Sequence, residues 1–177
     1  MARYFVRIAL TIAALNGLRI FSCDIQKAYL TAECQERIYT IAGLEFQSDA
    51  RKFMIVKIAL YGLKSSGAVF WSKLLSVIWE LGYRPSKADI DVWLRPAVKP
   101  DDFRYYQLIL CYVDDIISIS PNQLDAISGI QKVFKLKNTE MPTMYLGGGV
   151  AKVKTNLGKE CWTFLSDKYI KAAVRHV

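Results

Sequence analysis

The stretch Leu110–Ser120, LCYVDDIISIS, sets two adjacent carboxylates, Asp114 and Asp115, between two runs of apolar and β-branched residues. Such runs are typical of β-strands. We therefore predict a hairpin with strands at Tyr105–Tyr112 and Ile116–Ser120 and with the two aspartates at its turn. In that position the carboxylates project from the edge of a sheet and not into its core. A surface turn without chemistry remains the alternative, because aspartate is common in turns.

The paired charges of this turn need a counter-charge. Two unit charges about 4 Å apart repel by roughly 4 kcal/mol at an effective dielectric constant near 20. The chain has no Lys or Arg between Arg104 and Lys132, whereas a divalent cation such as Mg²⁺ would offset the repulsion through hard oxygen ligands. A third ligand is expected from another strand, and Asp24 is the candidate because it ends the predicted strand Arg19–Asp24. Such a set can hold two metal ions around a phosphoryl group in transfer.

The rest of the chain predicts helices and short strands in turn. The clearest helix is Ser65–Leu81, whose apolar residues fall on one face and which Gly82 follows. The apolar run Ile8–Leu15 is too short to cross a membrane, and we interpret it as a buried helix closed by Gly17 and not as a targeting segment. The order predicts an α+β domain, an antiparallel sheet with helices packed on one face. The other predicted elements are strands at Glu36–Ile41, Lys52–Lys57, Val92–Leu94, Val150–Lys154 and Cys161–Leu165, a turn at Pro96–Asp102, a helix from Ser120 to Phe134 and a last helix from Ser166.

Composition favours an intracellular, cytoplasmic protein with an anionic partner. The 177 residues include 24 basic and 16 acidic ones, for a net charge of +8, and a basic surplus favours nucleic acid first among partners. No membrane partner is expected. Four cysteines without CxxC spacing indicate reduced thiols. The single histidine, His176, lies next to the C-terminus, which argues against a histidine-based triad or a Cys/His zinc site.

Several short motifs occur in an order that one enzyme family shares. Tyr112–Asp115 (YVDD) resembles the YxDD signature of reverse transcriptases, and Asp24–Leu30 (DIQKAYL) resembles their first catalytic motif. Ala59–Gly67 (ALYGLKSSG) is similar to the LYGLK block of copia-type elements. Further similar segments follow at Trp71, Ser86–Asp89, Asp91–Trp93, Tyr145–Gly147 and Ser166–Tyr169. The ordered set resembles the reverse transcriptase domain of copia-type LTR retrotransposons.

This resemblance implies a polymerase palm that copies RNA or DNA into DNA with two Mg²⁺ ions, for which Mn²⁺ could substitute. It implies that Asp24, Asp114 and Asp115 are the catalytic residues and the metal ligands. Tyr29 falls at the family's aromatic steric gate against a ribose 2′-hydroxyl, with a core aromatic as the alternative. The implied substrate-binding set is Lys27, Ala28, Tyr29, Tyr61, Gly62, Lys64 and Tyr112, and the implied nucleic-acid-binding set, near the primer, is Tyr145, Leu146 and Gly147.

The resemblance also implies a division of the chain and a set of partners. Residues 1–142 are expected to form the palm with residual fingers segments, and residues 143–177 a primer-grip-like hairpin and the start of the thumb. The fingers are expected to be largely missing, as in a fragment of a Pol polyprotein whose remainder includes integrase and RNase H. Expected ligands are an RNA or DNA template–primer duplex and deoxynucleoside triphosphates, and an active element would place the chain in a virus-like particle.

Two other functions remain open from the sequence. The first is a truncated, non-catalytic remnant of such an element that binds nucleic acid through its basic surface. The second is a palm enzyme similar to nucleotidyl cyclases that acts on free nucleotides. The second needs no duplex surface, and the LYGLK-like block argues against it.

Overall fold

The computed structural model describes residues 3–122, 124–166 and 174. Over these residues the chain forms three α-helices and eleven β-strands, and short 3-10 helices lie at Ala28–Thr31 and Leu44–Asp49. The predicted α+β class is confirmed. The helices are α1 (Arg3–Asn16), α2 (Ser66–Glu80) and α3 (Leu124–Gln131), and the strands are β1 (Arg19–Ile25), β2 (Tyr39–Ile41), β3 (Phe53–Ile55), β4 (Arg84–Pro85), β5 (Val92–Val98), β6 (Arg104–Tyr112), β7 (Asp115–Ser120), β8 (Leu136–Glu140), β9 (Met144–Tyr145), β10 (Gly148–Lys154) and β11 (Glu160–Leu165).

The chain divides into two compact units. The first unit comprises Met1–Gln26 and Ile78–Val177, and the second comprises Lys27–Val77. The second unit contains the antiparallel β2–β3 hairpin, both 3-10 helices and most of α2. The division at residue 142 that the sequence suggested stays a prediction.

A six-stranded antiparallel sheet forms the centre of the first unit, in the order β4-β5-β6-β7-β1-β8. Its two middle strands are the predicted hairpin, and they are buried over Gln107–Cys111 and Ile116–Ser120. Because both faces of these strands are covered, their sequences are apolar almost without alternation. The smaller sheet β11-β10-β9 adds Tyr145 and Val150 to the same core.

Helices cover both faces of the large sheet, whereas the sequence placed them on one. Helix α1 buries Val6 and Leu10 in a core cluster with Leu108 of β6. Gln107 precedes Leu108 in the strand, so its side chain points to the opposite face. There the Gln107 carboxamide accepts a hydrogen bond of 3.0 Å from Arg95, and Arg95 lies 3.7 Å from the Asp125 carboxylate of α3. Helix α3 therefore covers the second face.

The end of α1 is set by a Schellman motif at Gly17, the residue that the sequence predicted to close this helix. Gly17 has a φ of 65°, which a glycine adopts without strain. The Leu18 amide donates to the Ala13 carbonyl at 2.9 Å, and the Gly17 amide donates to the Ala14 carbonyl at 3.3 Å. The helix buries one face only, since the side chain of Leu15 is 81% exposed.

Strand and helix limits differ from the predictions at several points. The short strands β4, β8 and β9 were not predicted, and α3 ends at Gln131 instead of Phe134. Strand β5 continues to Val98, through the residues predicted as a turn. The helix predicted from Ser166 falls almost entirely outside the described residues. Within the described part of the chain, no helix is long and apolar enough to cross a membrane.

Candidate active site

The paired aspartates lie at a two-residue turn between β6 and β7. Tyr112 and Asp115 form the last pair of the β6–β7 ladder, so Val113 and Asp114 make the turn. Val113 has a φ of 55°. Two-residue hairpin turns favour a positive φ at the first position because it matches the strand twist. A β-branched residue is strained there, at a cost of order 1–3 kcal/mol. The structure thus places Asp114 in the turn and Asp115 at the start of β7, at the end of the two middle strands of the sheet.

Asp24 lies beside this turn. Strand β1 pairs with β7 so that Asp24 is directly opposite Asp115, and the Ile25 amide donates to the Asp114 carbonyl at 2.9 Å. Directly opposed residues of an antiparallel pair point to the same face with their Cβ atoms about 5 Å apart. Of the three aspartates that the sequence proposed as ligands, Asp24 and Asp115 therefore lie side by side on one face of the sheet, and Asp114 lies in the turn next to them.

The electrostatics of the aspartates reflect this crowding. The pKa of the Asp115 carboxyl is raised from its ordinary value by burial first, then by the Asp114 and Asp24 charges, while Lys137 opposes the rise. The Lys137 ammonium lies 3.3 Å from Asp24 Oδ1. That oxygen is buried and accepts no hydrogen bond, so the lysine contact is an ion pair without hydrogen-bond geometry.

The donor set fits a hard divalent cation by its chemistry. Carboxylate oxygens are the ligands that Mg²⁺ and Mn²⁺ prefer, and Asp24 Oδ1 is an acceptor with no hydrogen bond. Across the described residues, however, no group of three or more His, Cys, Asp or Glu side chains is arranged to hold a metal. The aspartates therefore supply suitable donor atoms whose side chains do not converge on one point, and nothing in them distinguishes Mg²⁺ from Mn²⁺.

A cleft of about 450 Å³ joins the aspartates to the predicted primer hairpin. Asp24 and Asp115 line it together with Tyr145, Leu146 and Gly147. Leu146 and Gly147 form the β9–β10 turn with φ values of 47° and 73°. The buried Tyr145 hydroxyl donates to the carbonyl of Leu110 in β6 at 3.4 Å, which ties this hairpin to the strand that leads to the aspartates.

The remaining predicted substrate residues, except Tyr112, belong to the second unit. Within it the half-buried Tyr29 ring lies 4.8 Å from the Tyr61 ring and 6.0 Å from the Phe70 ring, measured between centroids. This unit thus brings Tyr29 and Tyr61 together and packs Tyr29 in an aromatic cluster. Lys27 and Gly62 have positive φ values of 53° and 94°, Ala28 is buried, Tyr61 and Lys64 are exposed, and in the first unit Tyr112 is exposed at the catalytic hairpin.

Sequence reasoning missed Lys137. Its strand, Leu136–Glu140 (LKNTE), is mostly polar and exposed, so no hydrophobic pattern marked it. The pairing of β8 with β1 is what brings this lysine to Asp24. No signal in the sequence could have found it without the fold.

Two comparisons with known proteins identify the family of the chain. The model of the family "Reverse transcriptase (RNA-dependent DNA polymerase)" matches residues 2–173. The chain is 24% identical over 171 residues to a retrovirus-related Pol polyprotein from transposon TNT 1-94 of Nicotiana tabacum. That match covers 94% of this chain, which spans only 12% of the length of the relative. The chain belongs to the reverse transcriptase family.

Proposed function

We propose that the chain is the catalytic core of an RNA-directed DNA polymerase from a copia-type retrotransposon. The observation that carries this proposal is the pairing of Asp24 with Asp115 beside the Val113–Asp114 turn. A relative that is a transposon Pol polyprotein supports the origin. In the proposed reaction the primer 3′-hydroxyl gives up its proton to water, and its oxygen bonds to the α-phosphorus of a deoxynucleoside triphosphate. The bond from that phosphorus to the bridging oxygen breaks, and pyrophosphate leaves.

Asp24, Asp114 and Asp115 would hold two divalent cations, with Mg²⁺ as the proposed ion and Mn²⁺ as a substitute. When bound, these ions supply charge neutralisation at the phosphates and polarisation of the attacking hydroxyl. The protein's share of catalysis is then positioning and electrostatic stabilisation. Tyr145, Leu146 and Gly147 are proposed to hold the primer end, because they line the same cleft as Asp24 and Asp115.

The second unit is proposed to bind the incoming nucleotide. Backbone N–H groups at Lys27 and Ala28 would meet the triphosphate, and Tyr61, Gly62 and Lys64 would lie under the base and the template. Tyr112, which is exposed at the catalytic hairpin, is also proposed as a substrate-binding residue. We retain the division into a palm at residues 1–142 and a primer hairpin with the start of the thumb at residues 143–177 as part of the proposal. The other Pol segments, integrase and RNase H, are the proposed partners in the polyprotein.

Primer extension on an RNA template tests this function. The chain is incubated with Mg²⁺ and deoxynucleotides, and wild type is compared with Asp24→Asn and Asp114→Asn. We expect each variant to lose at least about 100-fold in rate, because each removes a charge that acts on the transition state. Asp101→Asn is the matched control, since Asp101 belongs to the other Asp-Asp pair, in an exposed loop. Equal rates in wild type and Asp114→Asn would reject the assignment.

Tyr29 is proposed to select deoxynucleotides. Its ring is fixed by contacts with the Tyr61 and Phe70 rings, so it can exclude a 2′-hydroxyl by contact. We expect Tyr29→Val to raise ribonucleotide incorporation relative to deoxynucleotide incorporation about tenfold or more, a range in which single steric contacts act. Tyr29→Phe keeps the ring and is the control. Unchanged selectivity in Tyr29→Val would assign Tyr29 to packing alone.

One observation favours a second candidate function. The chain carries a net charge of +8, which suits a non-catalytic, nucleic-acid-binding remnant of such an element. That candidate predicts template–primer binding without extension, and binding that is the same in wild type and Asp114→Asn at every Mg²⁺ concentration. The extension assay, run beside a duplex-binding assay, separates the two.

A further inference from the structure

A bulge in the pairing of β1 with β8 selects the residue that faces Asp24. Ser22 pairs with Glu140, and regular pairing would place Asn138 opposite Asp24. The register shifts between Ser22 and Asp24, and Lys137 takes that position instead. Asn138, with a φ of 51°, lies within the shifted segment. Bulges commonly redirect a side chain next to an active site, and here the redirected side chain is a cation.

Three neighbouring strands thereby carry Asp115, Asp24 and Lys137 side by side on one face. The Lys137 ammonium lies 3.3 Å from Asp24 Oδ1, which is buried and accepts no hydrogen bond. The lysine side chain is 49% exposed. Its ammonium is therefore held by charge and not by a directional bond, and its flexible stem can withdraw toward solvent. Lys137 thus neutralises Asp24, which lies next to the Asp115 carboxylate, and the lysine is easily displaced.

We propose that Lys137 is a positioning residue that neutralises Asp24 until a divalent cation binds and displaces it. This inference rests on the proposed function, in which Asp24 is a metal ligand. The lysine competes with the metal for one carboxylate oxygen, so it lowers the affinity of the site for the cation. It also keeps the crowded aspartates stable while no metal or nucleotide is present. An uncharged residue at position 137 would strengthen metal binding and weaken the metal-free fold.

The test measures Mn²⁺ binding to the full chain by electron paramagnetic resonance at fixed ionic strength, without nucleic acid. We expect Lys137→Met to bind Mn²⁺ about fivefold more tightly than wild type, the scale of one partly exposed ion pair. Lys137→Arg keeps the competing charge and should stay near wild type. Lys159→Met removes an exposed lysine from the β10–β11 turn and should change nothing, which controls for net charge.

A second readout is the melting temperature with and without metal. If Lys137 were purely structural, its effect on melting would not depend on metal. Without metal, Lys137→Met should melt below wild type, and saturating Mg²⁺ should remove most of the difference. Equal Mn²⁺ affinity in Lys137→Met and wild type, with binding lost in Asp24→Asn, would overturn the role of Lys137 and leave the proposed function intact. Binding that persists in Asp24→Asn, or is absent in every protein including Lys137→Met, would overturn the metal site itself.

Discussion

Val113 holds the catalytic hairpin in a backbone conformation that β-branched residues rarely adopt. Its φ of 55° costs of order 1–3 kcal/mol. The turn it makes is short enough to leave Asp115 in the β7 ladder, directly opposite Asp24. The buried strands on either side offset the strain, since Leu108–Cys111 and Ile116–Ser120 lie almost wholly in the core. The placement of the aspartates therefore depends on a strained backbone conformation at Val113.

The raised pKa of Asp115 predicts a pH-dependent stability of the metal-free chain. A carboxyl with a folded-state pKa above the ordinary value of 3.8 destabilises the fold when it is ionised. Asp115→Asn, which mimics the protonated form, should therefore unfold at higher urea than wild type at neutral pH. As the pH falls through the raised pKa toward 3.8, wild type gains its proton and the difference should shrink.

The measurement is equilibrium unfolding in urea with a chelator, at a series of pH values. Asp101→Asn is the control, because Asp101 lies outside the site, and its difference from wild type should not follow the same course. A difference between Asp115→Asn and wild type that is constant or grows toward acid pH would contradict the raised pKa of Asp115, which burial causes first and the neighbouring aspartates second.

The β9–β10 turn makes a prediction at the level of elements. Gly147 has a φ of 73° and open space where a Cβ would lie, so Gly147→Ala adds backbone strain and no clash. We expect a loss of about 1 kcal/mol in the free energy of unfolding. Gly149→Ala is the matched control, because Gly149 lies in the next strand with ordinary backbone and its Cβ would meet only the Leu165 carbonyl at 3.7 Å. Urea denaturation checks both, and equal losses would contradict the turn assignment.

Elements with a strong local pattern were predictable from the sequence. The hairpin around the aspartates and helix α2 lie within about one residue of their predicted limits. Helix α1 ends just before Gly17 as predicted, but it begins at Arg3, ahead of the predicted run Ile8–Leu15. The strands β4 and β9 are two residues each, too short to show a period. Strand β8 is polar and exposed, so only its pairing with β1 defines it.

Two predictions from the sequence, a turn at Pro96 and a helix that extends to Phe134, were wrong for physical reasons. Pro96 suggested a turn, but it lies in β5 beyond the two-residue pairing with β4, so no neighbour on that side needs its missing N–H. Phe134 suggested a longer α3 because it is apolar and continues the helical spacing of Ile127 and Ile130. Its amide donates to the Ile130 carbonyl at 2.9 Å, in a turn that follows the helix and not within it.

At the scale of the whole molecule, the candidate site joins segments that are distant in sequence. Strand β1 connects them, since it pairs with β7 on one side and with β8 on the other. Local pattern indicated the turn at Asp114 and Asp115, and it indicated Asp24 as the end of the predicted strand Arg19–Asp24, which the order of motifs then supported. Their contact depends on a register formed across some ninety residues, which no periodicity encodes. The bulge in the β1–β8 pairing is also needed to place Lys137 opposite Asp24. The lysine at this site could therefore be identified only in the folded chain.

The most direct test of the proposed site is the position of a bound metal. Crystals of the chain soaked with Mn²⁺ and a deoxynucleoside triphosphate would be measured at the manganese absorption edge. We predict an anomalous peak within ligand distance, about 2.0–2.3 Å, of carboxylate oxygens from both Asp24 and the Asp114–Asp115 pair. A manganese peak elsewhere, with none between these carboxylates, would contradict the claim that the three aspartates form one metal site.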